Sequence, residues 1–389
     1  VRVYLLVGLV AAAVAYLMTP LARWCALRWG AITAVRDRDV HAVPTPRLGG
    51  LAMFLGVVVT IVVASRLPFL EGVYDNPRAL VGIVGGAGLV VALGVADDIW
   101  DLDWLTKLMG QVLAAGFLAW QGVQLYQLPI GGVTVSSGRM WTFLTIVIVV
   151  VAMNAVNFVD GLDGLAAGVL AIGGGAFFLY CYLLTRATSG DYASLSALVL
   201  AALVGACVGF LPHNLYPARI FMGDSGSMLL GFVLAAAAII VTGQIDPEQV
   251  SRRQSFPAFL PILLPIAVLL LPLLDMGLAI IRRTIQGKSP FHPDRLHLHH
   301  RLLALGHSHR RAVAIMYLWT AVFAYGVGAL VLFSTTTVLW IFLAAVVVAV
   351  LLTIGPLRGR SHRTSKEPHV LPDEPGPRPV DRPEARQHS

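Results

Sequence analysis

The stretch from Leu80 to Asp103 reads LVGIVGGAGLVVALGVADDIWDLD, and its two halves differ sharply in chemistry. The first half, Leu80 to Ala96, runs 17 residues without a charge. That is close to the length of helix that spans a bilayer. It is rich in glycine, as at Gly82, Gly85, Gly86 and Gly88. Such residues let helix backbones approach closely in a membrane bundle. The second half holds Asp97, Asp98, Asp101 and Asp103 within seven residues. Acids at the end of a membrane span are costly and tend to be functional.

The same alternation of apolar block and polar loop recurs along the chain. The 389 residues are 57% hydrophobic and 13% charged, against about 25% charged in an average soluble domain. Eleven candidate spans follow, at roughly 3–21, 48–66, 80–96, 106–120, 141–155, 165–184, 194–212, 227–242, 259–281, 312–332 and 337–355. The fold class is therefore all-α, a polytopic membrane helix bundle. Residues 1–356 form the transmembrane domain, and residues 357–389, rich in Pro, Arg and Glu, read as a disordered tail. Two β-prone runs around Gly131-Gly132 predict a small hairpin on the extracytoplasmic side. The first span is too long for the apolar region of a cleavable signal and lacks a convincing cleavage site. Cys25, Cys181 and Cys207 lie in or beside apolar segments, without metal-ligand spacing, and read as buried thiols.

The net charge of +7 would raise nucleic acid as a partner for a soluble domain. Here the cations sit in short loops and the tail, so they report topology and no nucleic acid is expected. The loops after the first and ninth spans and the tail together carry most of them, including Arg36, Arg38, Arg47, Arg282, Arg283 and Arg295. The positive-inside rule then puts these loops and the tail in the cytoplasm and the N-terminus outside.

The unusual polar motifs fall in the loops assigned to the cytoplasm. On a helix end Asp97 and Asp98 would share a face with Asp101. Crowded carboxylates call for a cation, and magnesium takes oxygen ligands while keeping substrate phosphates in its shell. Further on, Asn154, Asn157, Asp160 and Asp163 step by three through NAVNFVDGLDG. Their amides and carboxylates match the donors and acceptors of a nucleoside, although an Asp here could also simply cap a helix. Gly223-Asp224-Ser225-Gly226-Ser227 opens the eighth span as a helix start suited to phosphate, with Asp224 as a metal ligand and a plain helix cap as the alternative. His292, Arg295, His297, His299, His300 and Arg301 crowd one loop that reads as an anion site. Before the second span, His41 and Arg47 could meet a phosphate or serve only as a positive-inside anchor.

Taken in order, Pro44-Thr45-Pro46-Arg47-Leu48-Gly49-Gly50, Asp97-Asp98-Ile99-Trp100-Asp101, Asn154 to Leu165, Gly223 to Ser227 and His297-Leu298-His299-His300 resemble the polyprenyl-phosphate N-acetylhexosamine-1-phosphate transferase family. The Pro-Thr-Pro-Arg-Leu-Gly-Gly and His-Leu-His-His forms are nearest the branch that uses UDP-N-acetylglucosamine. The branch that uses UDP-N-acetylmuramoyl-pentapeptide is the alternative. The resemblance implies a multi-pass enzyme of the cytoplasmic membrane. It would move N-acetylglucosamine-1-phosphate from UDP-N-acetylglucosamine onto undecaprenyl or decaprenyl phosphate and release UMP, with Mg2+ as cofactor and Mn2+ as a substitute. It leaves a homodimer open. In the roles it implies, Asp97, Asp98 and Asp101 are catalytic, and Asp224, Asp97 and Asp98 bind metal. Arg47, Asn154, Asn157, Asp160, Asp163, Gly223, Ser227, Arg295, His297, His299 and His300 bind substrate.

A secondary transporter would also carry intramembrane acids, but near the midplane and with paired repeats. Here the acids sit at span ends and no internal repeat is visible. An alcohol phosphatidyltransferase also clusters aspartates, but its spacing of Asp, Gly, Ala and Arg does not occur.

Overall fold

The computed structural model describes residues 1–33, 44–126, 137–188, 194–243, 260–287 and 297–354. The helices are α1 (Arg2–Trp29), α2 (Gly49–Ala64), α3 (Pro77–Trp100), α4 (Trp104–Trp120), α5 (Gly138–Val159), α6 (Leu165–Thr188) and α7 (Leu195–Asn214). They continue with α8 (Gly223–Gly243), α9 (Leu260–Val268), α10 (Leu270–Ile285), α11 (Leu298–Ala304), α12 (His309–Gly328) and α13 (Thr335–Ile354). Every predicted span coincides with a helix or with the pair α9 and α10. Eight helices are long and apolar enough to cross a bilayer, or ten spans if two bent pairs each count as one. Those pairs are α2 with the 3-10 turn Pro68–Tyr74, bent by 107°, and α9 with α10, bent by 67°. The shortfall from eleven is α4, whose 17 residues extend only about 26 Å at 1.5 Å per residue. The chain is an all-α, multi-pass membrane protein.

Two sequence expectations lie outside the described residues. These are the hairpin expected over 124–135, of which only residues 124–126 are described, and the tail 357–389. A two-stranded antiparallel pairing does occur elsewhere, between Ile32–Thr33 (β1) and Thr45–Pro46 (β2). It closes the loop between α1 and α2. Cys25, Cys181 and Cys207 are free thiols; the last two are buried, as read from the sequence, whereas Cys25 is only partly buried.

α8 is the hub. It is almost wholly buried and packs on α2, α3, α5, α6, α7 and α9. α13 packs mainly on α12 and its 3-10 extension at the periphery, and it leaves Leu339, Trp340, Ile341 and Leu351 exposed. Exposed side chains of this kind suit contact with lipid tails. α10 is inverted relative to a soluble helix. Leu271, Asp275, Ala279 and Arg283 face inward while Leu274, Leu278, Ile281 and Ile285 face out. This is the orientation expected where the outside is lipid and the inside is polar.

Local sequence explains how the site end of the bundle is shaped. Pro77 opens α3 at a position where its missing N–H costs nothing. Asp101 ends the helix in a left-handed conformation with φ 51°. Two residues later Asp103 caps α4, its carboxylate accepting from Leu105 N and Thr106 N at 3.0 and 3.1 Å. α3 and α4 thus form a tight hairpin, with Lys107 in the first turn of α4 facing back toward the end of α3. Gly94 lets α3 meet the start of α8. A Cβ there would stand 2.3 Å from Ser225 Cα.

Candidate active site

The motifs meet at one end of the bundle, around the first turn of α8. Asp98 is 8% exposed, and its two oxygens accept from Asp224 N at 3.0 Å and Ser225 N at 3.2 Å. These are orphan donors of a helix N-terminus, so the carboxylate both caps α8 and satisfies its dipole. Gly223, at φ 72°, leaves room for this contact, because a Cβ would collide with the Asp98 carboxylate.

Asp97, one residue earlier, faces a different partner. Its Oδ2 lies 2.6 Å from Lys107 Nζ, and the same ammonium is 3.1 Å from Asp224 Oδ2. Asp97 Oδ1 also accepts from Leu102 N at 2.9 Å. One cation therefore bridges two carboxylates from α3 and α8. Among the described residues, no group of three or more His, Cys, Asp and Glu side chains is placed to hold a metal ion. Magnesium, however, is commonly bound by one or two carboxylates with substrate phosphates completing its shell. The Asp97–Asp224 pair, already arranged around a positive charge, fits that description.

α5 delivers the next group. Asn157 Nδ2 donates to Ser227 Oγ at 3.0 Å. Asp160 follows the end of α5. Desolvation, reinforced by the Asp224 and Asp98 carboxylates and opposed by Arg47, pushes its carboxyl up to about 7. Arg47 reaches this region because Phe221 N donates to Pro46 O at 2.8 Å and Gly49 N to Phe221 O at 3.0 Å. The two loops pair in parallel at Arg47 and Phe221.

The histidine loop is tied down from α10. Asp275, 3% exposed, meets His297 Nδ1 at 3.1 Å and accepts from Leu298 N at 2.8 Å. The His297 ring lies edge-on to Phe158 at 5.7 Å, and the Arg283 guanidinium covers the same Phe158 ring at 5.7 Å. Partial burial and the neighbouring His297 hold the His300 imidazole below its ordinary pKa, against the pull of Asp275.

Several predicted site residues sit elsewhere. Asp101 is exposed at the end of α3, apart from the Asp97–Lys107–Asp224 group. Asp163 is 3% exposed and accepts from Ala218 N at 2.8 Å. It works there with Asn214, which accepts from Gly164 N and donates to Ile220 O, both at 3.0 Å. Together they staple the Asp-Gly loop to the segment leading into α8. Asn154 lies one turn deeper than Asn157 and donates to Gln111 Oε1 at 2.7 Å. His41, His292 and Arg295 lie outside the described residues, and of His299 only the backbone, in α11, is described. Sequence reading missed Lys107, Gln111 and Asn214 as site-building groups. Lys107 carried a usable signal, being the one charge within the predicted span 106–120.

The family model for glycosyl transferase family 4 matches residues 80–242. A decaprenyl-phosphate N-acetylglucosaminephosphotransferase of Mycolicibacterium smegmatis is 44% identical over 368 residues, 93% of this chain and 91% of that protein. A protein of the same name from Mycobacterium tuberculosis is 44% identical over 360 residues, 91% of this chain and 89% of that protein. A phospho-N-acetylmuramoyl-pentapeptide-transferase of Desulforudis audaxviator is 33% identical over 310 residues, 73% of this chain and 83% of that protein.

Proposed function

This chain belongs to glycosyl transferase family 4, and from that premise we propose that it transfers N-acetylglucosamine-1-phosphate from UDP-N-acetylglucosamine to a polyprenyl phosphate. The products are polyprenyl-diphosphate-N-acetylglucosamine and UMP, and the step opens assembly of a cell-wall or surface glycan. The relatives named for N-acetylglucosamine transfer align over nearly the whole chain, and the pentapeptide transferase over less of it. This favours the smaller donor. The observation that carries the chemistry is the cation-bridged carboxylate pair, Asp97 and Asp224, set where the end of α3 and the starts of α4 and α8 meet.

The reaction joins two anions. An oxygen of the lipid phosphate attacks the β-phosphorus of the UDP-sugar, and UMP leaves. One pyrophosphate replaces another, so the step is close to balanced. Catalysis then rests on positioning and charge compensation. Asp97 and Asp224 would hold Mg2+, which when bound offsets the repulsion between the phosphates. Lys107 adds a fixed positive charge beside both acids. The second pKa of a phosphate monoester is about 6, so the nucleophile is largely dianionic at neutral pH and needs no strong base. Asp98 is accordingly a positioning group, with both oxygens committed to backbone N–H bonds at the start of α8. Asn157 and Asp160 would take the nucleotide, and Arg47 with the His297–His300 loop the sugar phosphate.

The site faces the cytoplasm of a cell whose inner membrane holds the bundle, with the N-terminus outside. The described residues that flank the two cation-rich segments, Arg47 after α1 and Arg283 in α10, lie at the site end, which supports the orientation given by the positive-inside rule. α4 leaves that end at Lys107 and α5 returns to it with Asn157, which supports a crossing by α4 despite its length.

The test is purified protein with polyprenyl phosphate and either donor, read as UMP. Release is expected with UDP-N-acetylglucosamine and magnesium and not without the metal. Preference for UDP-N-acetylmuramoyl-pentapeptide would move the chain to the other branch, and no release with either would sink the reading.

A further inference from the structure

One turn beneath the Lys107–Asp224–Asn157 layer, the same three helices carry a second layer of interacting side chains. Gln111 follows Lys107 by four residues in α4, Met228 follows Asp224 by four in α8, and Asn154 precedes Asn157 by three in α5. Each offset is about one helical turn. The sign differs because α5 runs toward the site while α4 and α8 run away from it.

The deeper layer is connected. Asn154 Nδ2 donates to Gln111 Oε1 at 2.7 Å and to Val150 O at 2.8 Å, and Gln111 Nε2 donates to Met228 Sδ at 3.1 Å. Gln111 is only 3% exposed. A primary amide in such a place costs a few kcal/mol when unpaired. Here its oxygen and its nitrogen each have a partner, on two different helices. Apolar contacts between α4 and its neighbours set which face is inward, but they tolerate small slips along the axis. Directional amide bonds do not. Lys107 hangs one turn above on a flexible four-carbon stem, and its place between two carboxylates depends on where α4 stands.

We propose that Gln111 is a positioning residue that, with Asn154 and Met228, sets the register of α4 against α5 and α8 and so holds the Lys107 ammonium between Asp97 and Asp224. This rests on the transferase reading. It assigns Asn154 to the scaffold of the site, not to the nucleotide.

The experiment is a double-mutant cycle on the purified full chain, with Gln111→Met, Asn154→Leu and the pair. kcat, the KM for UDP-N-acetylglucosamine and thermal stability are measured for each. Each single change lowers kcat about 10- to 100-fold, the range for sub-ångström to ångström misplacement of a reacting group, and leaves KM within about twofold. The pair is no worse than either single, as for two groups that act only through each other. Losses that multiply in the pair overturn the proposal. So does a raised KM for Asn154→Leu beside a silent Gln111→Met, since that places Asn154 on the nucleotide. The exchange Gln111→Asn with Asn154→Gln keeps both amides and serves where an apolar variant does not fold. A kcat above that of Gln111→Asn alone supports the pairing, and one at or below it overturns it. An inactive wild type sinks the transferase reading itself, whereas an active wild type beside unaffected variants sinks only the register.

Discussion

Replacing Lys107 by methionine keeps an unbranched side chain one atom shorter and removes its charge. The ammonium stands 2.6 Å from Asp97 and 3.1 Å from Asp224. At those separations each contact amounts to about 5–6 kcal/mol of Coulomb energy for an effective dielectric near 20. Desolvation of the three charges offsets a large part. Removing one partner of such a group costs about 3–5 kcal/mol, because the remaining charges are left together without compensation. Lys107 and Asp224 are about a quarter exposed, which places the expected loss at the lower end. The variant should therefore unfold at a lower temperature in metal-free buffer, without substrate. Magnesium should then restore it. In the wild type the ion must share its site with the ammonium, whereas in the variant it meets two bare carboxylates. A tenfold gain in metal affinity corresponds to about 1.4 kcal/mol. At metal concentrations well above the Kd, stabilisation grows with the logarithm of concentration over Kd. The assay is thermal unfolding of detergent-purified protein across a magnesium titration, for wild type and Lys107→Met. A larger magnesium-induced rise in the variant is expected. An equal or smaller rise would refute the placement of the cation between Asp97 and Asp224.

Three further outcomes follow from the geometry. Gly94→Ala should abolish UMP release, because its Cβ would meet the Ser225 backbone at 2.3–2.4 Å and force α3 off α8, where overpacking costs about 1–3 kcal/mol; activity near wild type would show that the helices are not in contact there. Asp160 should make stability fall with rising pH. Its carboxyl is raised from 3.8 to about 7, so the folded state binds a proton that the unfolded state has already released, and the penalty builds between those values and is complete above 7. The melting temperature of Asp160→Asn should accordingly exceed that of wild type at neutral pH and converge with it near pH 4; a constant difference across that range would contradict the assignment. Finally, a cysteine placed within 124–138 should react with an impermeant thiol reagent on intact cells and one within 292–300 should not. The reverse labelling would invert the topology.

The bundle was legible in the sequence because each span is decided by local composition. Helices α1, α3, α5 and α8 begin or end within a few residues of charge and glycine signals visible without coordinates. The bends after α2 and between α9 and α10 were not read. Their apolar content is the same as that of straight spans, and the prolines beside the breaks, Pro68, Pro265 and Pro272, were the signal left unused. The candidate site was legible as a set of motifs, since Asp97, Asp98, Asp224, Asn157 and His297 are polar groups at the ends of apolar runs. Their division of labour was not. Asp97 and Asp98 are adjacent in sequence and alike in chemistry, yet successive positions on a helix point about 100° apart. One therefore meets an ammonium from α4 and the other the backbone of α8.

The same distinction separates the remaining acids and amides. Asp98, Asp163 and Asp275 each accept from backbone N–H groups, and each is at most 8% exposed. A carboxylate so engaged is tied to a loop or helix start and has less capacity left for substrate. Asp97 also accepts from Leu102 N, but it and Asp224 share a side-chain cation beside which a metal can bind, and Asn157 bonds the Ser227 side chain near the start of α8. Removing a group of the first kind moves the loops that form the site. Removing one of the second kind leaves those loops in place and changes what they can bind. A family of aspartate-to-asparagine variants should thus split into two classes by thermal stability as well as by rate. Asp163→Asn belongs with the first class, although its spacing of three from Asp160 in the sequence suggested a nucleotide ligand.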